Sequence, residues 1–268
     1  MADIKCEVFG DEGTGANGRF ALFSFIGFEP TKVQSALNTL DRTKQKFGVP
    51  SSARLHCREL FAGDKRAKAE WPVLKPKDPI EVCRYLNIEL RQLRPLWAYG
   101  YVDMRVLQEF PNPTTMRISF PPREDSPGLE DVMPFGIGQA QRHAYLGAGW
   151  NYWQRFSGQA RFWVDKDRTM LDWLNGKRGQ AHNLNLLLPY SVDLPPEWMP
   201  MLEITDLFAY AAGRCLADDQ RYGAGVFRAM HRRYGPVISK VTLDPTGFGA
   251  DIDRGEWLKQ MNSGAPLP

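Results

Sequence analysis

The sequence is poor in the features that most quickly classify a protein. Four cysteines, Cys6, Cys57, Cys83 and Cys215, are scattered over 268 residues, and no two form a C-x-x-C pair. That scatter argues against a structural zinc site and against a small disulfide scaffold. No G-x-x-x-x-G-K-[ST] run is present, so a P-loop is excluded. The longest apolar stretch, ALFSFIGF, is far too short to cross a bilayer. The N-terminal MADIKCEVFG carries charges where a signal peptide needs an apolar core. Net charge is only +3, which permits a polyanionic partner without announcing one. Together these absences give the expectation of a reduced, cytoplasmic protein with no membrane segment. Oligomeric state is left open.

What is present is ordinary globular material, 43% apolar and 24% charged. Ile4, Cys6 and Val8 alternate with Asp3, Lys5 and Glu7, the period of a half-buried strand. A second strand is expected over Arg19–Phe28, making a hairpin. Helical periodicity follows from Thr31, with Val33, Ala36, Leu37, Leu40 and Phe47 on one face. Further helices are expected over Pro79–Leu93, Gln139–Phe156 and Leu202–Ala217, with strands over Leu96–Met104 and Arg161–Val164. Strands and helices interleave after an initial hairpin, which points to an α/β fold with a mixed sheet. The chain reads as one domain over 1–268. It carries a Pro-rich insertion near 111–136, read as irregular, and a C-terminal extension after about residue 218.

Gly13-Thr-Gly15-Ala-Asn-Gly18 matches the G-x-G-x-x-G dinucleotide fingerprint. A Rossmann loop needs a helix to start there, facing the pyrophosphate. The residues that follow, RFALFSFIGF, read as a strand, and Asp11 and Glu12 stand where they would repel a phosphate. A glycine-rich hairpin turn explains the three glycines better.

The acids then become the informative residues. Asp11 and Glu12 close the first strand, and Asp165 follows the apolar run Phe162-Trp163-Val164. Glu203 and Asp206 lie one turn apart on a helix that is apolar almost all round, MLEITDLFAYAAGRCLA. No Lys or Arg stands one turn from Asp206 to pair with it. Glu59 sits in LHCREL, three residues after His56. Each acid has a plain alternative: turn acid, N-cap, first-turn decoration or solvated surface group. As a set, carboxylates ending apolar elements suit hard divalent cations such as Mg²⁺ or Mn²⁺.

In chain order Asp11-Glu12, RLHCREL, FWVDKDR and LEITDLFAYA resemble the DUF3800 family, whose members look like divergent relatives of the RNase H-like superfamily. The resemblance spans about residues 5–217. It departs from the family pattern at Gly13-Thr14, where a Ser-Gly is usual, and at Glu203, where a Gln is usual. It implies an RNase H-like, five-stranded mixed β-sheet with antiparallel first strands, flanked by α-helices. It also implies Mg²⁺- or Mn²⁺-dependent hydrolysis of phosphodiester bonds. Asp11, Glu59, Asp165 and Asp206 would be catalytic and hold the metal, with Glu12 a further ligand candidate. Neighbouring strand side chains point to opposite faces, so Asp11 and Glu12 would share a site only if the chain bends.

His56 reads as ligand, general acid or structural histidine; His143 and His182 read as structural or exposed. The basic clusters MHRRYG (with His231 to Tyr234) and GKRGQ (with Lys177 and Arg178) suit phosphate contact, and in a chain with 34 Lys and Arg they also suit a solvated face. A nuclease acting on DNA or RNA is the leading expectation. The alternative is a catalytically inactive nucleic-acid- or protein-binding module on the same fold, and a nucleotide-dependent oxidoreductase would follow only from the glycine match.

Overall fold

Ten residues, Cys6–Gly15, form β1, and Phe20–Phe28 form β2. The computed structural model describes residues 4–15, 18–61, 78–105, 115–120, 129–134, 137–156, 159–164, 191–218, 220–221 and 223–240. β1 and β2 pair antiparallel in unbroken register from Glu7 opposite Phe28 to Gly15 opposite Phe20. β3 (Leu96–Asp103) continues the meander antiparallel to β2. A second pair, β4 (Thr115–Phe120) and β5 (Leu129–Pro134), forms its own two-stranded antiparallel sheet. Then β6 (Ala160–Val164) joins β1 in parallel, β7 (Ser191–Asp193) joins β6, and β8 (Val237–Lys240) joins β3. Among the described residues the main sheet is mixed and runs through six strands in the order β7-β6-β1-β2-β3-β8.

The insertion over 111–136, expected to be irregular, therefore holds paired strands. Pro134 is the last residue of β5, opposite Thr115 at the end of the ladder, and the other prolines of the insertion lie outside the two strands in sequence.

The helices are α1 (Val33–Lys46), α2 (Cys57–Leu60), α3 (Asp78–Arg91), α4 (Ile137–Arg155), α5 (Met201–Leu216) and α6 (Ala224–Tyr234). They cover both faces of the sheet. Phe9, Leu22, Ile26 and Trp97 pack on one side with Leu37, Leu86, Phe208 and Phe227 from α1, α3, α5 and α6. Val8, Phe23, Phe25 and Ala98 pack on the other with Tyr145 and Tyr152 of α4. The central strands are thus buried on both sides, and the alternation in residues 3–9 does not mark a half-buried strand. Glu7 is only 1% exposed. Its carboxylate accepts hydrogen bonds from Arg161 Nε at 2.9 Å and Trp163 Nε1 at 2.7 Å, and Arg161 Nη2 completes the pair. A carboxyl group this deeply buried needs that degree of hydrogen bonding.

Gly13 and Gly15 are not turn residues. Both lie inside β1, and of the three glycines in the fingerprint Gly18 has a positive φ, 93°. A Cβ added to Gly15 would come 2.7 Å from the carbonyl oxygen of Gly213 on α5, and one on Gly213 would come 3.0 Å from Thr14 O. These glycines let the helix backbone lie directly on the strand backbone. Among the described residues, no helix is long and apolar enough to cross a membrane.

Candidate carboxylate site

The close contact of α5 with the end of β1 positions two of the acids. Phe9 and Leu22 belong to the α5 side of the sheet, and Gly13 sits over Leu22 with Ala209 of α5 within 3.6 Å of its added Cβ. The register of β1 is unbroken, so Asp11, between Phe9 and Gly13, projects to that same side. Glu12 projects to the α4 side, as does Gly10, whose added Cβ would strike Phe23 and Phe25. The strand does not bend to bring Asp11 and Glu12 together.

α5 begins after Pro195, Pro196 and Pro200, which hold the chain out of a regular helix until Met201. Its first two turns carry Glu203 and Asp206, both buried. They meet different partners. Lys44 Nζ of α1 lies 2.8 Å from Glu203 Oε2 and 2.9 Å from Oε1, and the pair is 2% and 7% exposed. The Leu55 N–H donates to Glu203 Oε2 at 2.8 Å. Asp206 instead accepts the Cys57 N–H at 2.6 Å and faces the His56 ring, with Nε2 3.6 Å from its Oδ1. On the far side of that ring, His56 Nδ1 stands 3.7 Å from Glu59 Oε1. His56 is 38% exposed and Glu59 47%, so the row runs from the buried Asp206 outward to solvent. Both His56 contacts exceed direct hydrogen-bond length, and the ring bears on Asp206 electrostatically.

Burial, then the negative charge of Asp206, then that of Glu12, push the pKa of Asp11 up to about 8, against the pull of Arg54 and the Glu12 N–H. Burial also raises Asp206, opposed by the Cys57 N–H, His56, the Cys57 thiol and Arg54. Two acids from distant parts of the chain therefore resist ionising together, and each gains from a proton or a cation placed between them. Glu203 is raised by burial as well, with Lys44 and the Leu55 N–H working against that rise.

The oxygen donors of Asp11 and Asp206 suit a hard divalent cation. Among the described residues no group of three His, Cys, Asp or Glu side chains is close enough to hold a metal ion. Glu59 is separated from Asp206 by the His56 ring, Glu12 lies on the other side of the sheet, and Asp165 falls outside the described residues. So do Lys177, Arg178 and His182, and the side chain of His143. In MHRRYG, His231 Nε2 is 2.9 Å from Tyr99 Oη and Tyr234 donates to Asn87 O, while Arg232 and Arg233 are exposed.

Two participants escaped sequence reasoning. Lys44 was missed because its acid lies on another helix, although it occupies the position one turn after Leu40 on the apolar face of α1. Arg54, exposed on the segment before α2, bears on Asp11, Asp206 and Glu203 through its charge.

Comparison with known proteins finds no matching family model, no matching curated protein and no matching solved structure. The chain's mixed α/β architecture and the arrangement of its own side chains are what a functional reading rests on.

Proposed function

We propose that the chain is a divalent-metal-dependent nuclease on an RNase H-like fold, akin to the DUF3800 family, with Asp11 and Asp206 at the centre of its site. The observation that carries this reading is that the half-buried Asp11 and the buried Asp206 lie on the same side of the sheet where β1 meets α5, near enough for the charge of Asp206 to raise the pKa of Asp11. The antiparallel meander β1-β2-β3, with β6 parallel beside β1, supports it. Asp11 and Asp206 would hold Mg²⁺ or Mn²⁺, with Asp165 as a further ligand taken from the resemblance. A bound cation supplies an activated water and neutralises the leaving oxygen.

The chain's own residues prepare that chemistry. Asp11 and Asp206 offer oxygens whose mutual repulsion a cation relieves. The Cys57 N–H fixes one oxygen of Asp206 and leaves Oδ1 on the His56 side. His56, between Asp206 and Glu59, would serve as the general acid that delivers a proton to the leaving oxygen. Nucleic acid is the partner this reading requires.

The test is cleavage of labelled single-stranded and duplex DNA, RNA and hybrid with Mg²⁺, with Mn²⁺ and with EDTA. Asp11→Asn and Asp206→Asn should each lower the metal-dependent rate by on the order of a hundredfold or more while the circular dichroism spectrum is kept. If both variants cut as wild type does, the site is misassigned. Salt-sensitive binding with no turnover under any cation would establish the inactive binding module instead.

A further inference from the structure

The segment that leads into α2 is held by the backbone. The Leu55 N–H is anchored on Glu203 at 2.8 Å and the Cys57 N–H on Asp206 at 2.6 Å. Between these two staples the chain is extended, with His56 at φ −122° and ψ 107°. Side chains along an extended segment alternate. Ala53, Leu55 and Cys57 go into the core, whereas Arg54 is exposed and His56 half-exposed. The direction of the outward side is given by His56, whose Nε2 is 3.6 Å from Asp206. Arg54 stands on that same outward side two residues earlier, and its positive charge reaches acids of both β1 and α5.

Among the described residues Lys44 also lies at this corner, but it is buried and held by Glu203. It cannot meet an incoming anion without abandoning an interior carboxylate. A phosphodiester brought to Asp11 and Asp206 is repelled by both of them, so productive binding needs an exposed counter-charge on a fixed frame. A guanidinium is always protonated and presents a planar fork that matches two phosphate oxygens.

We propose that Arg54 is the substrate-anchoring residue of the site, holding the non-bridging oxygens of a phosphodiester over the Asp11–Asp206 pair. The inference rests on the nuclease reading. It goes beyond that reading in giving the site a phosphate-binding group apart from any metal, so it is tested by binding in EDTA. Full-length wild type, Arg54→Ala and Arg54→Lys are titrated into a short fluorescein-labelled single strand, as DNA and as RNA, across a salt series. Anisotropy should show Arg54→Ala binding on the order of tenfold more weakly, with the slope of log K against log salt reduced by about 1. Arg54→Lys should keep the wild-type slope but only part of the affinity and, in cleavage assays, raise KM with kcat little changed. A merely structural role would leave the slope alone. Wild-type affinity and slope in Arg54→Ala overturn the role of Arg54 and leave the nuclease reading standing. Absence of both binding and cleavage by the wild type overturns the two together.

Discussion

Glu203 and Asp206 stand one turn apart on the same helix, both are buried, and their surroundings give them different work. Glu203 is closed off by Lys44 and an amide, with a cation of its own supplied by the fold. Asp206 has an amide, a partly exposed imidazole and a second carboxylate. A buried acid with its own cation is part of the scaffold, whereas one facing another acid leaves a charge to be satisfied from outside. Burial alone does not distinguish the two; the partner does.

The largest expected effect breaks the scaffold half of the comparison. Lys44→Met leaves Glu203 in the interior without its cation and should cost about 3–5 kcal/mol in urea unfolding. Lys44→Met with Glu203→Leu should recover most of that loss, because the apolar pair leaves no charge to desolvate. A single variant as stable as wild type would show that Glu203 does not depend on Lys44.

Next in size is Gly15→Ala. Its methyl group would meet the Gly213 carbonyl at 2.7 Å, and both atoms belong to regular elements that yield little. A loss of about 1–3 kcal/mol is expected, as for overpacking elsewhere. Metal-dependent activity should fall further than stability does, because the shift moves α5 away from β1 and so separates Asp206 from Asp11. An active, fully stable Gly15→Ala would mean that the close contact does not set the site.

The site half of the comparison also appears as pH dependence. The pKa of Asp11 rises on folding from 3.8 to about 8, so the folded state binds more protons than the unfolded chain between those values. The stability this contributes is fully present below 3.8 and is lost as pH rises through about 8. In EDTA the wild type should therefore weaken as pH climbs from about 4 to about 8. Asp11→Asn should lose that dependence and be the more stable protein at the alkaline end, as read from urea midpoints. Divalent cation should restore the wild type there and leave Asp11→Asn unchanged. Equal slopes for the two proteins would remove Asp11 from the account.

The smallest effect belongs to His56. Its two contacts, at 3.6 and 3.7 Å, are partly exposed and worth between 0 and about 1 kcal/mol. His56→Gln should unfold close to the wild-type midpoint while lowering cleavage. A large loss of stability would return His56 to the scaffold beside Glu203.

The elements of the fold were largely legible in the sequence because their signals are local. The aromatic run of β2, the apolar stripe of α1 and the apolar α5 each declare themselves within a few turns or strand residues. What escaped was whatever depends on a distant partner. Lys44 and Glu203 are 159 residues apart, and no spacing rule joins them. Gly13 and Gly15 looked like turn residues because glycine most often serves unusual backbone angles. Here the requirement on Gly15 comes from Gly213, nearly two hundred residues along the chain, while a Cβ on Gly13 would press on Leu22. The β4-β5 pair was hidden by the prolines around it. At the site the sequence displayed acids as residue types but not their neighbours, and neighbours decide which acid is neutralised. Arg54 was invisible as one exposed arginine among 34 basic residues.

The two staples that hold Leu55 and Cys57 also bear on side-chain length. Three helical residues advance about 4.5 Å, whereas two extended residues advance about 6.6 Å. Acids three apart on a helix and amides two apart on an extended segment thus differ in spacing by about 2 Å. One longer and one shorter side chain absorb it: glutamate at 203 reaches a methylene farther than aspartate at 206. The two acids are thus cut to different lengths, and exchanging them would slide the segment that carries Arg54 and His56 out of step with the helix beneath it.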